Sequence, residues 1–154
     1  MAIALSTAGV TIKYLAESTA GVKPTTGTWT QIAGIKSISD LNPEPSQLDC
    51  TPLEELEWKQ YIPGLKDIGG VVSLTANNTD TFQTAWAALV TAAKALTGGL
   101  SMCFQIVVPG LTKAFFFSGM PSDLGLTAVE VDSVLDVDAY ITPSKVFGWD
   151  TKST

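Results

Sequence analysis

The sequence feature that most constrains this chain is a long stretch, Asp40 to Gly69, without the clear periodicity of a helix or a strand. It contains two early prolines and a central acidic run. Irregular segments of more than about a dozen residues are uncommon in compact domains and are usually functional or disordered. Disordered segments are poor in large apolar side chains, whereas this one contains several. We therefore predict an ordered loop that presents four side chains to a partner: Trp58, Tyr61, Ile62 and Leu65.

Length and composition predict a single globular domain over residues 1–154. The chain is 45% hydrophobic and 16% charged, and its length suits one domain with a core but not two of ordinary size. No apolar run approaches the roughly 20 residues that span a bilayer, so we expect no membrane segment and no membrane partner. The opening residues, MAIALSTAGV, lack a basic region followed by an apolar core, so we expect synthesis in a cytoplasm without secretion.

Two cysteines, Cys50 and Cys103, bear on the redox state of the chain. The sequence leaves a disulfide between them open. Thiols stay reduced in a cytoplasm, however, so two free thiols are favoured.

The charged residues disfavour nucleic-acid binding and enzymatic chemistry. The net charge is -6, and every cation is a lysine because arginine and histidine are absent. Arginine is the side chain best suited to forked contacts with phosphate or guanine, and an acidic surface repels nucleic acid, so specific DNA or RNA binding is not expected. Histidine is the usual general base and the commonest metal ligand. We therefore expect a protein that is not an enzyme and that binds no cofactor or metal.

Alternation of apolar and polar residues predicts six strands. Pro109-Gly110 predicts that the fourth and fifth strands form a hairpin. Three consecutive phenylalanines in the fifth strand must point to both of its faces, so both faces need a cover. Residues 145–154 are predicted to form a flexible tail that orders only against a partner. The predicted strands are Gly9–Ala16, Thr28–Ser39, Val71–Asn77, Leu100–Val108, Lys113–Gly119 and Val129–Thr142.

One helix is predicted, with Asp80 accepting first-turn N–H groups and Gln83 at the reciprocal capping position. Gly98 and Gly99 are expected to end it. Its apolar residues form one stripe, which should belong to the core. Several short strands and one amphipathic helix predict a mainly β (α+β) fold, an antiparallel β-sandwich or barrel with the helix packed across it. The stripe consists of Phe82, Trp86, Leu89, Val90, Ala93 and Leu96.

The last predicted strand has an acidic face and an apolar face. Carboxylates in such numbers could form an acid–base pair or hold a calcium ion. Alternate residues of a strand more commonly form a solvated face, so neither a catalytic nor a metal site is expected there. Val131, Leu135 and Val137 are predicted to pack beneath the sheet. The acidic face consists of Glu130, Asp132, Asp136 and Asp138.

The serial order of these signals carries a family resemblance. A TWTQIAGIKSI strand precedes an acidic loop that ends in YIPGLKD. The strand VVSLTAN, the capped helix, PGLTKAFFFSG and a closing VDSVLDVDAYITPS strand follow. From roughly Gly9 to Ser144 this order resembles the major tail tube proteins of long-tailed (siphovirus-type) bacteriophages.

The resemblance implies a structural virion protein that self-assembles as hexameric rings, stacked into a tail tube through which DNA is ejected. It implies that the loop at about 40–69, with Trp58, Tyr61, Ile62 and Leu65, contacts the next ring. Further implied partners are tail tip or tape measure proteins and tail terminator proteins, in the tail of a virion made in a host bacterial cytoplasm. An uncharged strand, Leu100–Val108, is expected at an open sheet edge that joins neighbouring subunits.

The acidic residues acquire a role under this resemblance. A conduit must not hold the DNA that passes through it, and lysines facing the lumen would attract phosphate. We therefore predict that Glu130, Asp132, Asp136 and Asp138 face the lumen. The alternative is that they face external solvent and aid solubility.

Two other interpretations stay open. Tube subunits of contractile injection systems share the architecture. A monomeric β-sandwich module that binds carbohydrate or protein would use Trp58 and Tyr61 as a ligand platform. Only tube subunits predict polymers in negative-stain electron microscopy.

Overall fold

The structure is a computed structural model that describes residues 4–67 and 70–153. These residues form two compact units. We call Met1–Ile38 with Val71–Thr154 the sheet unit, and Ser39–Gly70 the hairpin unit. The elements are β1 Thr11–Ala16, β2 Thr30–Ile32, β3 Ile35–Ile38, β4 Glu44–Asp49, β5 Tyr61–Asp67, β6 Val72–Asn77, α1 Asp80–Lys94, β7 Met102–Val107, β8 Lys113–Pro121 and β9 Asp136–Thr151.

Antiparallel strands dominate the sheet unit, which confirms the predicted mainly β fold with one packed helix. Seven strands form one sheet in the order β2-β1-β7-β8-β9-β6-β3. The two edge strands are therefore β2 and β3, which are neighbours in the sequence. A flat sheet of this width would separate its edges by roughly 29 Å, whereas the link from Ile32 to Ile35 spans at most about 10 Å. The sheet must therefore roll until its two edges approach each other.

The turn between the edge strands depends on Gly34. Its φ of +84° lies in the left-handed region, where a β-carbon is crowded against the following carbonyl oxygen. The Gly34 carbonyl accepts a hydrogen bond from the N–H of Asn77 at 3.2 Å, which ties the turn to the end of β6. The predicted strand Thr28–Ser39 is thus two strands rather than one. Neighbouring residues of the sequence pair with β1 on one side and β6 on the other.

Side chains of the sheet alternate between two faces, and both faces are buried at the centre. On one face, Ile12 lies opposite Ile106 in register, and Phe104 stacks on Phe117 with ring centroids 5.3 Å apart. On the other face, Trp29 meets Phe116 edge to face. The chain itself therefore buries both faces of the strand that contains three consecutive phenylalanines, as the sequence analysis required.

The segment between β1 and β2 covers the second face and is held there by polar contacts. The Lys23 ammonium lies 4.2 Å from the centroid of the Phe116 ring and 2.6 Å from the Asp150 carboxylate. Glu17 is buried, and its carboxylate accepts hydrogen bonds from the Ser118 hydroxyl and from the N–H groups of Gly21 and Ser101. Most of these contacts join residues that are far apart in the sequence, so no local sequence pattern signals the cover.

Helix α1 buries the predicted stripe but begins and ends differently from the prediction. Thr79 is the N-cap, since its side chain accepts the N–H of Phe82, and Asp80 is the first helical residue. The helix ends at Lys94, with Ala95 as its C-cap, because residues 95 and 96 tighten into a turn before Gly98 and Gly99 are reached. Five of the six stripe residues are buried and Leu96 is half-buried.

Two strand predictions were wrong in position. The uncharged strand β7 is not an edge, because it pairs with β1 on one side and β8 on the other. The last strand starts at Asp136 and runs to Thr151. Residues 145–151, predicted as a flexible tail, therefore pair with β8, and Thr154 lies outside the described residues.

Candidate assembly surfaces

The hairpin unit replaces the predicted irregular loop. Strands β4 and β5 pair antiparallel, with Asp49 opposite Tyr61 and Glu44 opposite Asp67, and residues 68–69 of the predicted loop lie outside the described residues. Prolines in both strands concealed this pairing from sequence reasoning, since proline weakens a strand assignment. The Ser46 hydroxyl occupies the space where a β-carbon on residue 64 would lie, so the two strands approach closely at Gly64.

The four predicted interface residues all lie on the exposed surface of the hairpin unit. Trp58 is 77% exposed and Leu65 is 90% exposed, while Tyr61 and Ile62 are each about half exposed. None of them belongs to a core of its own unit. Their contact with another subunit remains a prediction.

Sequence reasoning missed two apolar residues between the strands. Leu53 is 99% exposed and Leu56 is 92% exposed. We call these two residues, together with exposed Trp58, the tip. The signal that predicted the other four residues applied to them too, because disordered segments are poor in large apolar side chains. The prediction relied on the aromatic residues instead.

Polar contacts link the residues of the connection between β4 and β5 to one another. One Glu55 carboxylate oxygen accepts the N–H groups of Leu56 and Glu57, each at 3.1 Å. Asp49 accepts the N–H and the hydroxyl of Thr51, and the Thr51 hydroxyl in turn accepts the N–H of Gln60 at 2.7 Å. Hydrogen bonds from backbone N–H groups, chiefly those of Glu57 and Trp58, hold the pKa of Glu55 below its usual value. The hydroxyl of Thr51 does the same for the pKa of Asp49.

The four acidic residues predicted to face a lumen do not share one strand. Asp136 and Asp138 lie on β9, pointing away from buried Val137. The Lys36 ammonium contacts the Asp136 carboxylate at 3.0 Å, and the Thr75 hydroxyl donates to Asp138 at 2.9 Å.

Glu130 and Asp132 lie instead in the irregular segment that precedes β9, where Asp132 has a φ of +61°. Val131 is 91% exposed and Leu135 is also exposed, so the expectation that both pack beneath the sheet was wrong; only Val137 is buried. The reason lies in β6, which ends at Asn77 opposite Asp136. The Leu135 carbonyl accepts the N–H of Asn78 at 2.9 Å, and residues 129–134 have no residue of β6 opposite them.

The open edges of the rolled sheet are a second candidate surface. Within the described residues β2 pairs only with β1, and β3 pairs only with β6. A cleft of about 500 Å³ lies beside β3 and is lined by Thr7, Gly9 and Val10 as well as by Ile35–Ile38. An unpaired strand next to open space is a template for another chain.

A third surface lies at the turn between β7 and β8. We call it the basic end, and it comprises Leu5, Leu111, Lys113, Trp149 and Lys152. Leu5 packs on the turn, since a β-carbon on Gly110 would lie 3.2 Å from a methyl group of Leu5. Trp149 is about half exposed and meets Phe115 edge to face, and the Lys152 ammonium donates to the Val108 carbonyl at 3.3 Å. Lys113 is exposed.

The remaining functional groups offer little chemistry. Both cysteines are free thiols. Cys103 is buried, and burial raises the pKa of its thiol to about 12. No group of three or more cysteine or acidic side chains in residues 4–67 and 70–153 is arranged to hold a metal ion. The 15-residue helix is the one helix in this part of the chain, and it is not long and apolar enough to cross a membrane.

Comparison with known proteins places this fold among the components of tail-like particles. The chain is similar to a solved structure of the anti-feeding prophage cap, a tube terminating cap (TM-score 0.66, 10% identity, covering 99% of this chain and 94% of that one). It is also similar to the sheath/tube terminator of PVC, an extracellular contractile injection system (TM-score 0.63, 10% identity, covering 96% and 97%). A third similar chain comes from the tail of an empty GTA particle with C6 symmetry (TM-score 0.62, 14% identity, covering 97% and 100%).

Sequence comparison adds nothing to this similarity. No protein-family model matches the chain, and no curated protein matches it. At 10–14% identity the structural similarity shows the fold alone. This fold is shared with components of several kinds of particle and does not single out the tail tube of siphoviruses.

Proposed function

We propose that this chain is a structural subunit of a phage-like tail tube, which assembles as hexameric rings stacked into a conduit for DNA ejection. One observation carries the proposal: the chain shares its fold, over 96–99% of its length, with tube and tail components of particles of this kind. The role requires surfaces that bind further copies and requires no catalysis, cofactor or metal.

Ring formation uses the open edges of the rolled sheet. Exposed strand edges are normally blunted in monomeric proteins by charge, proline or a cover. Strand β3 has one charged residue, Lys36, whose ammonium is engaged by Asp136, and strand β2 has none. In a ring, β3 of one subunit meets the next subunit across the cleft beside it. Under this proposal β2 and β3 make the contacts between neighbouring subunits that were expected from the sequence at β7.

Stacking of rings uses the hairpin unit. Exposed apolar side chains gain nothing from the folding of an isolated subunit, whereas fully burying each one in an interface contributes about 1.5–3 kcal/mol. The hairpin unit offers several such side chains, Trp58 and Leu65 among them. In the assembled tail, the other partners are tail tip or tape measure proteins and a terminator protein, and the subunit is made in the cytoplasm of a host bacterium.

A second candidate function is that of a tube terminator, a ring that caps the tube and does not polymerise. The specific support is that two of the similar structures are a tube terminating cap and a sheath/tube terminator. Both roles need a ring, and they differ in whether the ring accepts another copy of itself.

Electron microscopy of the purified protein distinguishes these roles. Tubes after concentration or seeding, with sixfold symmetry in end views, would support the tube subunit. Single rings at every concentration, which bind the ends of tubes of a partner protein, would support the terminator. A strictly monomeric species by light scattering would contradict both and would turn attention to a monomeric binding module, for which glycan binding is the test.

A further inference from the structure

The charge of this chain is divided unevenly between its two units. Residues 39–70 contain seven carboxylates and two lysines, a net charge of -5, while the remainder contains eight carboxylates and seven lysines, a net charge of -1. The hairpin unit thus carries nearly all of the excess negative charge. A basic surface is favoured as its binding partner, because an acidic surface brought close to it would be repelled.

Charge is also uneven within the sheet unit, and the difference is seen along strand β9. Its first half, which pairs with β6, carries Asp136 and Asp138. Its second half, which pairs with β8, carries Lys145 and leads into Lys152. At the turn between β7 and β8, Lys113 and Lys152 flank one carboxylate, Asp150, and that carboxylate is already engaged by Lys23 at 2.6 Å.

The tip of the hairpin unit has the opposite character. Leu53, Leu56 and Trp58 are exposed, and Glu54 and Glu57 lie between and beside them. The Glu55 carboxylate is directed to backbone N–H groups of the connection, so it organises the tip and is not free for a partner. The tip therefore presents three exposed apolar side chains, with the exposed residues Glu54 and Glu57 adjacent to them in the sequence.

We propose that the tip of one subunit binds the basic end of a second copy of this chain. The inference rests on the proposed function and specifies the receptor for the contact between rings. Leu53, Leu56 and Trp58 pack on the exposed apolar groups Leu111 and Trp149, while Glu54 and Glu57 lie near Lys113. The opposite end of the sheet unit is a poorer receptor, because Glu130, Asp132 and Asp138 would repel the tip.

Charge reversal tests the polar part of this contact. Lys113→Glu should raise the protein concentration needed for assembly by about 5-fold at low salt. That factor is the upper range for the loss of one exposed ion pair. Combining it with Glu57→Lys should restore much of the loss, since the pair is then re-formed with opposite signs. Lys94→Glu is the matched control, because Lys94 is also an exposed lysine and is located at the helix end near Asp123. It should leave assembly unchanged.

Cross-linking tests the location directly. In a Cys50→Ala background, Leu56→Cys and Leu111→Cys proteins are prepared separately and oxidised alone or mixed under conditions in which the parent protein assembles. A disulfide-linked dimer in the mixture and in neither protein alone supports the proposal. Assembly of the parent without this dimer, together with equal effects of Lys113→Glu and Lys94→Glu, overturns the receptor assignment and leaves the proposed function standing. If the parent forms no rings or tubes, both are overturned.

Discussion

Ile32 ends a strand at one edge of the seven-stranded sheet, and Ile35, three residues later, begins the strand at the other edge. This relationship forces the sheet to roll, and it leaves the two edges close to each other without hydrogen bonds between the strands. Antiparallel sheets commonly place sequence neighbours side by side. Here the two sequence neighbours stand at opposite ends of the strand order, and the short turn between them brings those two edges together.

Gly34 should be essential to that turn. Gly34→Ala is expected to lower the free energy of unfolding by about 1–2 kcal/mol, because a β-carbon at φ +84° is strained. Urea denaturation of the subunit measures the loss. Gly125→Ala is the control, since Gly125 is exposed, has no contact at the position of a β-carbon and lacks a positive φ. Equal midpoints for the two variants would contradict the argument.

Trp58 and Tyr61 should act in assembly rather than in folding. Trp58→Ala and Tyr61→Ala are expected to leave the melting temperature nearly unchanged and to weaken polymerisation, since aromatic anchors often contribute about 2 kcal/mol or more to binding. Trp86→Ala provides the contrast, because Trp86 is buried in the core of the sheet unit and its truncation should destabilise the subunit by about 3–5 kcal/mol. Thermal melts and sedimentation velocity separate the two effects. A lower melting temperature with normal assembly would refute the interface role of Trp58 and Tyr61.

The predicted lumenal carboxylates can be tested without disturbing an ion pair. Asp132 and Asp138 are changed together to lysine, and Asp136 is left in place because it binds Lys36. Assembled particles should deliver DNA about tenfold less well at low salt, with recovery at high salt as counterions screen the attraction. Asp123→Lys, beside Lys94 at the helix end, serves as the control. Normal delivery by particles with both lysines would show that these carboxylates do not line the channel.

The two cysteines should differ sharply in reactivity. A pKa of about 12 keeps the Cys103 thiol protonated at pH 8, and the thiolate is the nucleophile, so alkylation of the folded protein should modify exposed Cys50 and spare Cys103. The rate at Cys103 should rise only as the pH approaches that pKa or as the protein unfolds. Mass spectrometry after iodoacetamide treatment, with and without denaturant, measures both sites. Rapid labelling of Cys103 in the folded protein would show that its site is open.

Elements with strong local periodicity were predicted well. The stripe of α1 from Phe82 to Ala93 and the alternation of β6, with Val72, Leu74 and Ala76 inward, follow from helical and strand geometry alone. The hairpin of β7 and β8 was predicted from Pro109-Gly110. In each of these elements, the backbone geometry that sets the element is determined by residues close together along the chain. The periodicity of the sequence therefore agrees with the structure.

The placement of β9 shows why other elements were not predicted. Residues 129–135 alternate more regularly than residues 143–151, yet only the second segment is in a strand. Pro143 is accommodated because it lies opposite Gly119, where a β-carbon would be 2.6 Å from the Thr142 carbonyl oxygen. The permissive residue is on another strand, so the sequence around Pro143 cannot reveal it.

The candidate surfaces divide in the same way. Composition determined that the chain is acidic and lacks arginine and histidine, and residue order determined that its acidic stretch contains apolar residues. Only the tertiary structure decided that β7 is interior, that β2 and β3 are the open edges, and that Leu53 and Leu56 join Trp58 at the tip. Periodicity reports which side chains share a face, because that depends on backbone geometry within one element. Exposure and edge position depend on which distant strand supplies the hydrogen-bond partners, and that choice is made by the packing of the whole sheet.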